Sequence, residues 1–129
     1  MIANIKLSTS NREQITAISS LARRLVKAAS EKQASDVLLL DIRAIASFSD
    51  YLVLMTADNT RQIAALAAEI PRTVRNLGGT VRHVEGEPDS GWILLDCMDV
   101  IVHIFSPDQR ALYSLEEVWE QSKVVLRFQ

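Results

Sequence analysis

The segment Trp92–Phe105 constrains the fold of this chain more than any other. Trp92-Ile93-Leu94-Leu95-Asp96 and Val100-Ile101-Val102-His103-Ile104-Phe105 are apolar runs joined by only Cys97-Met98-Asp99. A link that short fits a β-hairpin, because parallel strands need a crossover of roughly a dozen residues or more. Strand alternation puts Trp92, Leu94 and Asp96 on one side and Ile93 and Leu95 on the other. If the hairpin ends its sheet, one set is partly exposed. Trp92 then reads in two ways, as a core residue or as the anchor of a protein-binding hot spot beside aliphatics and acids.

The rest of the chain supplies partners for that hairpin. Ser10 and Glu13 have the spacing of a capping box, and Ile15, Ile18, Leu21, Ala22, Leu25, Val26 and Ala29 follow at helical steps. Asp36 to Arg43 and Tyr51 to Met55 read as strands, the continuous run Val37-Leu38-Leu39-Leu40 suiting a sheet covered on both faces. A second helix opens at Asp58-Asn59-Thr60, with Gln62 placed to complete a box with Asn59, and Gly78-Gly79 stops it. Pro71 within it predicts a kink or restart. Thr80 to Glu85 alternates as a strand, and short helices are expected over Asp108 to Leu112 and Leu115 to Ser122, the latter capped by Ser114 and Glu117 and docked by Leu115, Val118 and Trp119. The order α-β-β-α-β-β-β-α predicts one compact α/β domain over residues 1–129, a mixed five-stranded sheet flanked by helices.

At 129 residues and 48% hydrophobic content the chain can bury a core without staples. Fourteen Lys and Arg against sixteen Asp and Glu leave a net charge of −2, which argues against a direct grip on nucleic-acid phosphates. Cys97 is the only cysteine, so the chain forms no internal disulfide, and it reads as a small buried residue. No apolar run approaches a membrane span, and the first ten residues lack a signal-peptide pattern, which points to the cytoplasm. Asp41, Asp50 and Asp96 could in principle hold Mg²⁺ for nucleotidyl transfer. No glycine-rich phosphate loop accompanies them. Cys97 with His83 or His103 lacks any nucleophile motif. The residues therefore favour a binding surface over an active site, with no metal and no cofactor expected.

Ser47-Phe48-Ser49-Asp50-Tyr51, Val84-Glu85-Gly86, the hairpin, Arg110, and Tyr113-Ser114-Leu115-Glu116-Glu117-Val118-Trp119 together resemble the ribosomal silencing factor, or Iojap, family. The resemblance spans roughly residues 10 to 122. It implies a nucleotidyltransferase-like fold without that fold's phosphate loop or metal acids, and no catalytic residue. It implies a protein that binds the fourteenth protein of the large ribosomal subunit, blocks joining of the small subunit and lowers translation when nutrients are scarce. Little or no direct RNA contact and no membrane are implied, and homodimers formed by family members raise self-association as a competitor.

Carried onto this chain, the resemblance makes Trp92 and Leu94 apolar anchors, with Leu95 supporting them and Asp96 and Asp99 facing basic groups. Tyr51, Arg110 and Tyr113 match motif positions that serve either docking or the fold. The family often has glycine where this chain has Met98, so a different turn conformation is expected there.

Overall fold

The computed structural model describes the backbone of residues 2–129 and the side chains from Ala17 onward. A long helix α1 (Ile2–Glu31) leads into β1 (Ser35–Asp41) and β2 (Tyr51–Thr56); α2 (Thr60–Asn76) then crosses to β3 (His83–Glu85), and a 3-10 turn (Pro88–Ser90) precedes β4 (Trp92–Asp96) and β5 (Val100–Phe105). Two short helices, α3 (Pro107–Tyr113) and α4 (Leu115–Val118), lead to β6 (Lys123–Phe128). The six strands lie in the order β3-β4-β5-β2-β1-β6, with β2 and β5 parallel and every other pair antiparallel.

The two faces of this sheet are covered unequally. Val37, Leu39, Val53, Met55, Ile93, Leu95, Val102 and Ile104 point to one face, where α1 (Ala22, Leu25, Val26, Ala29) and α2 (Ile63, Leu66, Ile70, Val74) close over them. This is the main core. Leu38, Leu40, Ile42, Leu52, Leu54, Ile101 and Phe105 form the core on the other, against which, among the described residues, Ala46, Leu115, Trp119 and the hairpin's own Trp92 and Leu94 pack. Thin cover on that second face leaves part of β4 open.

Several expectations meet corrections. The sheet has six strands, not five, because Lys123–Phe128 pairs with β1. As an edge strand in which only Val125 and Leu126 are half-buried against the main core it shows little apolar contrast in sequence, and its Lys123 and Arg127 are the charges that keep an edge unpaired. α1 runs through Ser10, so that residue is helix interior rather than a cap, and the side chains of the expected box lie outside the described residues. Pro71 neither ends nor restarts α2; it is buried within a continuous helix. Asn59 caps α2 as expected, its Oδ1 accepting from Gln62 N–H at 2.8 Å, while Gln62 Oε1 reaches Asp58 N–H rather than Asn59. Ser114 does not cap α4 with its side chain; it takes a left-handed conformation (φ 47°) and its hydroxyl donates to Ala111 O. α4 ends at Val118, which is exposed, so only Leu115 and Trp119 dock.

Met98 needs a different reading too. Its φ is +72°, the left-handed conformation in which glycine is unstrained. The hairpin turn therefore keeps a glycine-compatible geometry with a methionine in it. Met98→Gly is expected to raise folding stability by about 1 kcal/mol, measured by urea unfolding. An unchanged or lower midpoint would show that the Met98 side chain compensates for its backbone strain.

Candidate functional site

The open part of the second face centres on Trp92. Its indole stacks on Phe105 with centroids 5.1 Å apart and meets Tyr113 at 4.3 Å, while Nε1–H donates to His103 Nδ1 at 3.0 Å. Tyr113 closes one side because α3 begins at Ser106, whose hydroxyl accepts from Gln109 N–H, and runs back over β4. Gly86 closes the other. Its φ is +89°, and a Cβ there would sit 2.1 Å from Trp92 O, so only glycine lets the β3–β4 connection lie this close. Between them is a groove of about 370 Å³ lined by Glu85, Gly86, Ser90, Trp92, Leu94, Gln109 and Tyr113.

His103 sets the chemistry beneath this groove. It is 6% exposed, and desolvation pushes its pKa down to about 4. A neutral ring whose Nδ1 accepts from Trp92 must carry its proton on Nε2. Protonating Nδ1 would place two donors face to face and release the indole. The unfolded chain binds that proton at about pH 6.5, so stability is complete above that pH and falls as pH drops from 6.5 towards 4. The loss should approach about 3 kcal/mol. Urea unfolding at pH 7 and pH 4.5 measures it, and His103→Gln, whose amide oxygen can still accept from Trp92, should flatten the slope.

Trp92 and Leu94 are half-buried beside the groove, and Tyr113 is 46% exposed. Asp99 is exposed in the hairpin turn, and its carbonyl accepts from Asp50 and Tyr51 N–H groups. Asp96 is half-buried and engaged, one oxygen taking Arg82 at 2.8 Å and the other Met98 N–H at 2.9 Å. Leu95 is fully buried on the opposite face, so it can support the strand only from beneath. Tyr51 belongs to the main core with Arg43 over its ring, and Arg110 is a buried hydrogen-bonding hub.

The acids considered for Mg²⁺ are placed otherwise. Asp41 spends both oxygens on Arg43, which holds its carboxyl below the usual range. Burial and the neighbouring Asp99 hold that of Asp50 above it. Among the described residues, no three His, Cys, Asp or Glu side chains gather as a metal site would require. Cys97 lies in the main core, on the face opposite His103, and burial pushes its thiol up to about 11, so it carries no thiolate near neutral pH.

Charge is where residue-by-residue reading missed a signal. From His83 to Gln109 the chain has six carboxylates (Glu85, Glu87, Asp89, Asp96, Asp99, Asp108) and no Lys or Arg. The other 102 residues hold all fourteen basic side chains against ten acids. The small overall charge conceals one acidic stretch of sequence, and Glu85 from that stretch lines the groove.

What fold and groove define is a small mixed-sheet α/β domain with an aromatic groove on its less covered face. The chain belongs to the ribosomal silencing factor family: the family model described as "Ribosomal silencing factor during starvation" matches residues 14–128. It is 34% identical over 100 residues to ribosomal silencing factor RsfS of Bacillus subtilis, covering 78% of this chain and 85% of that one. The chloroplastic protein Iojap of Zea mays is 38% identical over 100 residues, covering 78% of this chain and 43% of the longer plant protein. A crystal structure from Chromobacterium violaceum superposes with a TM-score of 0.73 at 29% identity, covering 82% and 86% of the two chains. No helix among the described residues is long and apolar enough to cross a membrane.

Proposed function

We propose that this protein docks on the large ribosomal subunit through its fourteenth protein and sterically blocks joining of the small subunit, acting as a cytoplasmic repressor of translation without catalysis. The observation that carries the reading is the Trp92–Leu94–Tyr113 groove, lined by Glu85 and built from a stretch of sequence, His83 to Gln109, with six carboxylates and no Lys or Arg. A half-buried tryptophan held by stacking and one hydrogen bond loses little conformational freedom on binding, which is what an interface anchor requires. Ribosomal proteins are cationic, so the acidic rim suits a protein partner, while it repels RNA phosphates. Trp92, Leu94 and Tyr113 make the apolar contact and Asp99 and Glu85 face basic groups; Asp96, paired with Arg82, holds the turn.

Co-sedimentation tests this reading. Purified protein should travel with isolated large subunits, stay off small ones, and lower the yield of joined ribosomes at permissive magnesium. Sedimentation only as free protein would overturn it. A saturable change on titrating nucleotide with Mg²⁺ would instead favour a nucleotidyltransferase-like activity.

A further inference from the structure

The helices that close the main core carry the opposite charge to the hairpin. From Ala17 to Lys32 the chain has four Lys or Arg against Glu31, and α2 has three Arg against Glu69. All seven basic side chains are exposed. Among the described residues only Arg72 of these has an ion-pair partner, Glu69 at 3.5 Å. Because α1 and α2 cover one face of the sheet and the Trp92 cluster lies on the other, the basic layer and the groove face away from each other.

The cations run along this layer from end to end because the helices are antiparallel. Gln62, in the first turn of α2, donates its side-chain amide to Lys32 O at 3.3 Å and Gln33 O at 2.8 Å, just past the end of α1. Arg61 and Lys32 therefore share one end of the layer. Towards the other end, Arg24 and Lys27 line a groove of about 220 Å³ between the helices, together with Thr73 and Asn76. Arg72 and Arg75 precede those two residues on the exposed surface of α2. At about 1.5 Å per residue, the distance from Arg61 to Arg75 is on the order of 20 Å. Glu31 and Glu69 line the same groove, so it is no pocket for a lone anion. Cations spread along two helices suit a chain of phosphates instead.

The uncharged side chains of the layer narrow the partner. No exposed side chain on α2, or on α1 from Ala17 onward, is apolar and larger than alanine; Leu77, just past α2, is the nearest that is. A helix that lies on a membrane needs a larger apolar face to bury, and a protein hot spot needs an aromatic or aliphatic anchor. The same segments hold no aromatic ring on which an unpaired base could stack, as single-strand binders require. Phosphate contacts alone remain, and the nucleic acid that a ribosomal factor meets is RNA. We infer that the α1–α2 layer binds the phosphate backbone of duplex RNA without reading its sequence. The net charge of −2 does not oppose this, because six of the carboxylates that set it lie between His83 and Gln109. An RNA helix on this layer and a partner in the Trp92 groove can be held at once, and the contact does not depend on how that groove is used.

Fluorescence anisotropy of the full chain with two labelled RNA duplexes of unrelated sequence, each about 16 base pairs long, tests the assignment. Both should bind with a Kd of about 50 µM or tighter at about 50 mM salt. Binding should weaken about 40- to 150-fold by about 200 mM, as roughly three to four phosphate contacts require. Arg24→Gln/Lys27→Gln and Arg72→Gln/Arg75→Gln are exposed pairs replaced by a good helix former. Each should weaken binding at least about tenfold and lower the salt slope by about two. Tyr113→Ala, at the groove, should leave it unchanged. No binding at about 50 mM salt, binding of one duplex sequence only, or parental affinity in either double variant would each overturn the inference. So would equal affinity for poly-L-glutamate or for phosphatidylserine vesicles.

Discussion

Arg110→Met is expected to lower folding stability by about 3 kcal/mol, read as a drop of roughly 10 °C in Tm. Methionine keeps much of the length and loses every donor. Asp36 O and Thr56 Oγ1 then lose a buried partner, and the Glu116 carboxylate loses its counter-charge. Complete burial of all partners would push the cost towards about 5 kcal/mol, but Glu116 and Asp36 side chains are 34% and 35% exposed and can be rehydrated. Removing the desolvation cost of the guanidinium itself offsets a further part. Lost hydrogen bonds win because this side chain's donors tie Glu116 of α4 to Asp36 and Thr56 on the paired strands β1 and β2. Arg110→Met/Glu116→Gln should recover about 1 kcal/mol, since the uncompensated charge is then gone. A single variant within about 1 kcal/mol of the parent would show that the hub is dispensable.

That hub also marks where sequence reading stops. Arg110 was legible as a motif position, yet its bond to Asp36 O joins residues 74 apart, which no local pattern encodes. The hairpin was legible to the residue because a three-residue link admits one geometry, and the buried strands β1 and β2 because continuous apolar runs suit a sheet covered on both faces. β6 was not, since a solvent-facing edge strand is selected by its one neighbour rather than by its own hydrophobicity. The site divides in the same way. Strand alternation separated Trp92 and Leu94 from Leu95, and the structure places Leu95 wholly in the core. Whether Trp92 was core or anchor depended on how much of its face α3 and α4 cover, a tertiary quantity. Its ring packs on the core at Phe105 and still lines the groove, so its place in the fold is compatible with either role. The ion pair of Asp96 with Arg82, fourteen residues away, was likewise invisible to any local pattern.

The dual position of Trp92 decides how docking should be tested. Trp92→Ala should weaken large-subunit binding by at least about 30-fold, equivalent to roughly 2 kcal/mol, the loss expected of a central aromatic anchor. It should also cost about 2–3 kcal/mol of stability, because the indole packs on the second core cluster and His103 loses its donor. Binding loss in that variant alone is therefore ambiguous. Tyr113→Ala resolves it: the ring is 46% exposed and ends α3, at the rim of the groove rather than in the core. Truncation there should cost only about 1 kcal/mol, the loss of its ring contact with Trp92, and still reduce binding about 5- to 30-fold, since it removes one wall of the groove. A charge reversal at the exposed Asp99, Asp99→Lys, should act mainly on the association rate and lose its effect as salt rises. Should Tyr113→Ala and Asp99→Lys both bind at parental strength while Trp92→Ala fails, the tryptophan is acting through the fold and the contact lies elsewhere. Loss graded from Trp92 through Tyr113 to Asp99, with stability lowered most in the first and not at all in the last, is the pattern that an aromatic anchor beside acidic side chains must produce.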